Sequence, residues 1–265
     1  MATSDRIVNS VKAKLDAMTN QVNKKSLIWR PTRGQEMAVR VVPYKHGPDP
    51  FNELYFHYDI GPVKTILCSN SNGFPEQQEC SICDYAKFLL KGEKNDKNYA
   101  LYKRLKSRLR VYVPILVRGH EDEGVKFWGI GKTTYTTIAN FFIAPDYGDL
   151  SDPIRGRDIK VKATEPSAQY IYGQVNIMPA ANPSKLSDNN EVSMSFIKEC
   201  PSVFDAFDKM SQEEVKNALE QFIAQGDEEQ PQNEQESTSQ QSETITEDDG
   251  TNDIDALMNE LIGKN

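Results

Sequence analysis

The feature that most restricts this chain is a pair of cysteines, Cys80 and Cys83, in the segment CSIC. Two thiolates at this spacing can bind one tetrahedral metal ion from a single tight turn. Cys68 lies 12 positions before Cys80, and His57 lies 11 positions before Cys68. Together they predict one structural zinc ion held by three cysteines and a histidine, since four protein ligands leave no position for water and thiolates favour zinc over magnesium or calcium.

Two alternatives to this metal site stay open. Reduced cysteines are also common core residues, and His46 and His120 are alternative fourth ligands. His57 is preferred because it falls in an apparent strand, whereas the other two histidines lie in KHGPDP and RGHEDEG, which have the composition of exposed loops. Cys200 stands apart from the other three cysteines and is interpreted as a packing residue.

Most of the chain around the cysteines has the pattern of short β-strands. Runs rich in Val, Ile, Tyr and Phe are separated by Gly, Pro, Asn and Asp, which predicts a β-sandwich or barrel. The predicted strands lie in MAVRVVPY, ELYFHYDI, VKTIL, RVYVPILV, VKFWGI, DIKVKA and YIYGQVNIM. Helices are predicted in SICDYAKFLLKG and KTTYTTIANFFIA. A third helix follows the capping-box pair Ser211 and Glu214, with apolar residues at helical spacing up to Ile223.

A stretch of cations and tyrosines is the main candidate for ligand binding. Residues 99–118 read YALYKRLKSRLRVYVPILVR, with six cations and no acidic residue. Cations neutralise phosphates, and aromatic rings stack on unpaired bases. Strand alternation predicts Arg108, Arg110 and Tyr112 on one face, with the apolar residues on the other. The predicted DNA-binding residues are Tyr99, Tyr102, Lys103, Arg104, Lys106, Arg108, Arg110, Tyr112, Trp128 and Lys132.

The same stretch has a simpler explanation as a solvated charged face. Trp128 and Tyr135 are likewise suited to a core position. The segment GIGKTT at 129–134 resembles a phosphate-binding loop, but Lys126 stands where that loop needs a glycine. No other nucleotide-binding or hydrolase motif is present, which predicts a non-enzymatic protein. Carboxylates are abundant, so an acidic, metal-dependent nuclease remains an alternative.

The net charge of −8 is unevenly distributed along the chain. Residues 227–265 hold 12 acidic residues and one Lys, whereas residues 1–226 hold 30 Lys or Arg against 27 Asp or Glu. A mildly basic body with an acidic tail indicates nucleic-acid binding and an interaction tail, although a solvating tail gives the same asymmetry. The tail composition predicts disorder. Its tip carries apolar residues at helical spacing, which predicts docking in a partner's groove through Ile254, Leu257, Met258 and Leu261.

Several of these segments together resemble the single-stranded DNA-binding (helix-destabilising) proteins of T4-like bacteriophages. The resemblance rests on TILCSNSNG followed by CSICDY, on NYALYKRLKS and on VKFWGIGKTTYTTIANFFIA. It implies a mainly β fold, an OB-fold-like barrel with an inserted zinc-binding subdomain, flanking helices and a disordered acidic C-terminal tail. It also implies cooperative coating of single-stranded DNA during phage replication, recombination and repair, in the cytoplasm of the infected bacterial host.

The resemblance and the patterns divide the chain into four parts. Residues 1–26 are predicted to form an arm for self-association along DNA, with an amphipathic helix at 4–19. Residues 27–200 form the OB-fold core, with the zinc subdomain at about 57–98, and residues 201–226 form a C-terminal helix of that core. Residues 227–265 are the acidic tail, predicted to recruit replication, recombination and helicase-loading proteins. No apolar stretch reaches the roughly 18 residues of a membrane span, and no secretory signal is found, which predicts a cytosolic protein without a membrane partner. The residue patterns do not distinguish DNA from RNA, so a zinc-stabilised RNA-binding protein is an alternative.

Overall fold

A computed structural model describes residues 24–71, 79–92, 95–167 and 173–228. The strands are β1 (Ile28–Trp29), β2 (Glu36–Val41), β3 (Asn52–Ile60), β4 (Val63–Leu67), β5 (Arg108–Val117), β6 (Lys126–Ile130), β7 (Asp158–Ala163) and β8 (Val175–Pro179). The helices are α1 (Ser81–Lys91), α2 (Asp96–Leu105), α3 (Lys132–Ile143), α4 (Asn190–Glu199) and α5 (Gln212–Glu228), with short 3-10 turns at Glu121–Glu123 and Val203–Ala206. Each predicted strand segment therefore contains a strand, and the three predicted helices are present.

The eight strands form one mixed sheet around β5. The main strand order is β1-β6-β5-β2-β7-β8, and β3 joins through β5 and carries β4 on its other side. Of the pairs between described strands, β1–β6 is parallel and the others are antiparallel. Among the described strands, β1 and β8 are not paired with each other, although a single bridge joins Arg33 to Ala163 beside β7. The structure is therefore a mixed sheet with flanking helices, and the described strands do not close into the predicted barrel.

β5 lies at the centre of the sheet, and both faces of its second half are buried. Its first half pairs with β3, its last residues pair with β2, and its other edge pairs with β6. Val111 and Val113 enter one hydrophobic cluster, whereas Tyr112 and Leu116 face a second. The predicted alternation of Arg110 and Tyr112 against the valines is therefore correct. A strand covered on both faces reads as a nearly continuous apolar run, as VYVPILV does.

Three hydrophobic clusters cover the sheet and its hairpin. The first packs α3 on the sheet, with Ile138 buried against the strands. The second lies on the opposite face, where the hydroxyl of Tyr44 accepts a hydrogen bond from the backbone N–H of Val203 at 2.9 Å. The third joins the β3–β4 hairpin to α1 and α5. The described part of the chain contains no helix with the length and apolar character needed to cross a membrane.

α5 packs on the cysteine-containing region. Its buried residues Val215, Ala218, Leu219 and Phe222 belong to the same cluster as Cys68 and Cys80, and not to the two clusters of the sheet. Gly61 in the β3–β4 turn has φ +57°, and a Cβ at this position would lie 2.8 Å from the backbone oxygen of Ala218. Glycine is therefore required where the hairpin turn meets α5.

A buried arginine connects two loops to the sheet. The side chain of Arg40 on β2 is fully buried. It donates hydrogen bonds to the backbone oxygens of Asp152 and Ser184 at 2.7 and 2.8 Å, and it pairs with Asp158 on β7 at 3.3 Å. Arg118 contacts the same carboxylate at 2.8 Å. A buried guanidinium is stable only with such a set of partners.

Some predictions concern residues outside the described ranges. They are the helix at 4–19 and almost all of the N-terminal arm, together with the tail beyond Glu228. The tail prediction includes Ile254, Leu257, Met258 and Leu261. These assignments therefore stay predictions.

Candidate metal site and aromatic groove

Four residues predicted as metal ligands come together at the edge of the β3–β4 hairpin. His57 lies on β3, Cys68 follows β4 directly, Cys80 is the N-cap residue of α1, and Cys83 lies in its first turn. Their ligand atoms all lie within 4.8 Å of one another. The site forms because the hairpin places His57 beside the end of β4, while the start of α1 supplies two cysteines from one turn.

The distances fit a tetrahedral ion. The Sγ atoms of Cys68 and Cys83 are 3.5 Å apart, and Nε2 of His57 lies 3.4 Å from Sγ of Cys80 and 3.5 Å from Sγ of Cys83. Around a tetrahedral zinc ion with Zn–S bonds of about 2.3 Å and a Zn–N bond of about 2.0 Å, neighbouring ligand atoms are about 3.5–3.8 Å apart. These four residues can therefore bind a metal such as zinc.

A second contact fixes the orientation of the His57 ring. Its Nδ1 atom lies 2.7 Å from the backbone oxygen of Leu105, the last residue of α2. A carbonyl only accepts hydrogen bonds, so Nδ1 carries a proton, and Nε2 is the ring nitrogen that faces the cysteines. Metal-binding histidines usually have such a partner on the other nitrogen. The end of α2 thus positions the ligand.

Within the site, the pKa shifts of His57 and Cys80 favour their charged forms, whereas hydrogen bonds to Cys80 and Cys83 raise the pKa of Cys68 and keep its thiol protonated. Burial lowers the pKa of His57, but hydrogen bonds and attraction from Cys80 and Cys83 outweigh burial and raise this pKa to about 9. Hydrogen bonds from Cys68 and Cys83 lower the pKa of the Cys80 thiol despite burial. A thiolate that stabilises a neighbouring cation is the charge state that a metal ligand requires.

The other candidate ligands lie elsewhere. His46 is exposed and its Nε2 lies 3.1 Å from the backbone oxygen of Cys200, and His120 is exposed beside Glu123 at 3.4 Å. Neither belongs to the cluster, so His57 is the histidine of the site. Cys200 is buried in the second hydrophobic cluster, as its interpretation as a packing residue predicts.

A second candidate site is an open groove of about 570 Å³ across β1, β3, β5 and β6. Its lining combines aromatic rings with cations, and no carboxylate is among the described residues that line it. The aromatic residues are Trp29, Phe56, Tyr58, Tyr112, Trp128 and Phe207, and the cations are Lys25, Arg30 and Arg110. A groove of this composition offers flat apolar surfaces and positive charge to a ligand.

Tyr112 and Phe207 form the centre of the groove. Their ring centroids are 4.9 Å apart, and both rings contact Phe56, at 6.0 and 5.1 Å. Tyr112 lies against Gly129, where a Cβ would be 2.9 Å from its Cε1 atom. Glycine at 129 therefore lets the tyrosine ring lie against the neighbouring strand. Burial raises the pKa of Tyr112, so its hydroxyl stays neutral.

The predicted DNA-binding residues divide into two groups. Arg110, Tyr112 and Trp128 line the groove, although the Trp128 side chain is only 2% exposed and packs edge-on against Trp29. The remaining members on α2 and at its end do not line it, and Lys132 begins α3 at its border. The α2 members are Tyr99, Tyr102, Lys103, Arg104 and Lys106.

The second group has partners of its own. The rings of Tyr99 and Tyr102 stack at 6.2 Å, and the Lys103 ammonium lies 4.7 Å from the centroid of Tyr99. The guanidinium of Arg104 lies 4.8 Å from the centroid of Phe222 on α5. Arg108 is exposed and lies over Tyr58 at 5.8 Å, so it links the basic stretch to the groove.

Several groove residues were not predicted from the sequence. Lys25 and Arg30 flank β1, Tyr58 lies on β3, and Phe207 lies between the 3-10 turn and α5. Phe207 lies more than a hundred residues after the other three in the sequence. The alternation in ELYFHYDI puts Tyr58 on the same face as Leu54 and Phe56, beside the second hydrophobic cluster, but no local pattern relates Phe207 to Arg30.

Two comparisons with known proteins identify no relative of this chain. A scan against protein-family models finds no match. A search of curated proteins also finds no significant match.

Proposed function

We propose that this protein binds single-stranded DNA without strong sequence preference and is not an enzyme. The observation that carries the proposal is the groove, whose described lining combines aromatic rings with cations and holds no carboxylate. Aromatic side chains stack on unpaired bases of any sequence, and Lys and Arg neutralise phosphates. Duplex DNA hides its base faces, so this combination suits single strands.

The arrangement of the groove supports the proposal at the level of individual residues. Tyr58, Tyr112 and Phe207 are partly exposed and offer ring faces, while Lys25 and Arg30 are exposed beside them. Arg108 extends the positive charge toward α2 through its contact with Tyr58. A strand crossing β3 and β5 would therefore meet rings and cations in alternation.

The finer fold assignment belongs to the same proposal. We infer that the mixed sheet is an OB-fold-like barrel of the type found in the single-stranded DNA-binding proteins of T4-like bacteriophages. The central position of β5 and the helical insertion between β4 and β5 support this assignment. Roles in replication, recombination and repair, and a location in the cytoplasm of an infected bacterial host, follow from that resemblance.

We further infer that the metal is one structural zinc ion. His57, Cys68, Cys80 and Cys83 would hold it, and a bound ion supplies folding free energy when four protein ligands close its coordination sphere. Several secondary-structure elements meet at this site and connect it to the groove. The β3–β4 hairpin, α1 and the end of α2 meet there, and α2 leads directly into β5 of the groove.

Partner binding and self-association are the remaining parts of the proposal. The arm at 1–26 would promote cooperative binding along a strand, and the acidic tail at 227–265 would recruit replication, recombination and helicase-loading proteins. Deletion of each segment tests its role separately. Loss of the arm should lower cooperativity on long strands only, and loss of the tail should abolish partner pull-down.

The decisive experiment is a titration of the full chain with single-stranded DNA, duplex DNA and RNA at two salt concentrations. Tight binding to single strands of any sequence, with much weaker duplex binding, is expected. Preference for RNA would favour the zinc-stabilised RNA-binding alternative. Cleavage of DNA that requires Mg²⁺ would instead favour the nuclease alternative.

Variants locate the binding surface. Arg110→Gln should reduce affinity for all sequences and flatten the salt dependence by about 0.7 in log–log slope for each phosphate that is no longer neutralised. Lys216→Gln on α5 removes an exposed cation outside the groove and serves as its matched control. Equal effects of the two substitutions would show that the groove is not the binding surface.

An aromatic pair tests stacking in the same way. Tyr58→Leu should weaken binding by on the order of 1–3 kcal/mol, again without sequence preference. Phe88→Leu on α1 changes a ring that is 66% exposed but lies outside the groove, so it should bind like the wild type. Lys103→Gln then reports whether the surface extends to α2.

A further inference from the structure

The start of α3 borders the groove and contains the segment GIGKTT. α3 begins at Lys132, and its N-cap residue is Gly131, which has no side chain that could cap the helix. Its first turn contains no acidic residue. The first amides of an α-helix have no partner within the helix and carry partial positive charge. Such a helix start attracts anions, but this property alone does not define a binding site.

Thr134 provides an independent indication of a ligand. The residue is 7% exposed and lines the groove. Its hydroxyl has no hydrogen-bond partner within the part of the chain that the structure describes. Among the described residues, Arg40 Nε is the one side-chain N or O atom that is both inaccessible to solvent and without a hydrogen-bond partner. Because the Thr134 hydroxyl is not such an atom and has no partner, it must be accessible from the groove. A hydroxyl that faces the groove without a protein partner can donate a hydrogen bond to a ligand oxygen there.

The surroundings of Thr134 favour a phosphate. Lys132 is exposed at the first position of α3 and forms no ion pair within the described residues. Gly129 has no side chain to cover the approach, and the Tyr112 ring lies directly beside it. Tyr112 and Thr134 line the same groove, so a bound nucleotide can place its base at the tyrosine ring and its phosphate at the start of α3.

We propose that a backbone phosphate of the bound strand sits at the N-terminus of α3. The amides of residues 132–134 and the Thr134 hydroxyl donate hydrogen bonds to its oxygens, and the Lys132 ammonium neutralises its charge. The neighbouring base stacks on Tyr112. This assignment rests on the proposed function and identifies one nucleotide subsite within the groove.

The test compares Thr134→Val, Lys132→Gln and the control Thr136→Val, which alters a solvent-facing threonine on the same helix. Binding of the full chain to an oligothymidylate is measured over a range of salt concentrations. Thr134→Val should lower affinity about tenfold at every salt concentration with an unchanged slope, since it removes a hydrogen bond from a neutral hydroxyl. Lys132→Gln should lower affinity mainly at low salt and reduce the slope by about 0.7.

Two further readouts separate the possible failures. Amide chemical shifts of residues 132–134 should change on adding the oligonucleotide, and inorganic phosphate is titrated in parallel. Shifts with inorganic phosphate but not with the strand would assign the site to a free anion and overturn the proposal. Wild-type binding with both variants matching Thr136→Val would overturn it while leaving the proposed function intact. A wild-type protein that does not bind single-stranded DNA would contradict both the subsite and the proposed function. Lys132→Gln changes an exposed residue, so it remains informative if Thr134→Val unfolds.

Discussion

The cysteine-histidine site and the Arg40 network both fasten connecting segments to strands, but they use different chemistry. In the first, four ligand atoms within 4.8 Å join the β3–β4 hairpin to α1. In the second, Arg40 joins β2 to the loops at Asp152 and Ser184 through hydrogen bonds and an ion pair. The ligands of the first lie within 27 consecutive residues, from 57 to 83, whereas the second spans residues 40 to 184.

This difference in chemistry means that the stability of the two regions depends on different conditions. With the proposed zinc ion, the contribution of the cysteine-histidine site to stability depends on metal concentration and on thiol chemistry. The Arg40 network is complete within the chain, except for its Nε atom, which has no partner among the described residues. It therefore depends only on the geometry of the strands and loops. The following experiments perturb one region at a time.

The largest effect is expected from removing a metal ligand. Cys80→Ser should lower the free energy of unfolding by more than about 4 kcal/mol, because the folding free energy of a bound metal is lost. Denaturant unfolding with zinc quantified in the same sample measures it. Cys200→Ser changes a buried cysteine outside the site and should cost only about 1–3 kcal/mol. A metal-free wild type with the same unfolding midpoint as the purified protein would contradict the role of the site.

The next effect is expected from the buried arginine. Arg40→Met should lower the free energy of unfolding by about 3 kcal/mol, because the backbone oxygens of Asp152 and Ser184 lose their donor while Asp158 keeps Arg118. Lys160→Met removes an exposed cross-strand pair with Glu36 at 3.7 Å and should change stability by less than about 1 kcal/mol. Similar losses for both substitutions would mean that burial of the network contributes nothing specific.

A smaller effect is expected where the hairpin turn meets α5. Gly61→Ala should cost about 2 kcal/mol, because a positive φ is combined with a Cβ 2.8 Å from a backbone oxygen. Gly124→Ala has φ +73° with no atom within 4 Å of its Cβ, and should cost about 1 kcal/mol. Thermal unfolding of the two variants measures the difference. Equal costs would show that α5 does not restrain the turn.

The smallest effect is expected in chemical labelling, which compares the cysteines of one unsubstituted chain with each other. Burial raises the pKa of Cys200 to about 11, so at pH 8 this thiol remains protonated as well as buried. Alkylation after chelation of the metal should therefore label Cys83 first, since it is the partly exposed member of the site, and spare Cys200. Mass spectrometry of the labelled chain gives the order. Labelling of Cys200 before Cys83 would contradict the packing described for both.

The candidate sites were predictable to different degrees for a physical reason. The four metal ligands are visible in the sequence because C-x2-C chelation is a local geometry and few other residues can ligate zinc. The groove was predicted only through Arg110, Tyr112 and Trp128. Its other members, among them Arg30 and Phe207, meet by folding of distant segments, and neither residue type signals a ligand on its own.

By itself, the sequence determined the local features of this protein. Periodicity and turn residues placed the strands and helices, the capping pair at Ser211 and Glu214 began α5, and cysteine spacing marked the metal site. Only the tertiary structure decided that the sheet is mixed and does not close among the described strands, that α5 packs on the cysteine region, and that Arg40 is buried in a network. Local patterns record which face of an element is apolar, whereas the partner of that face is chosen by long-range packing.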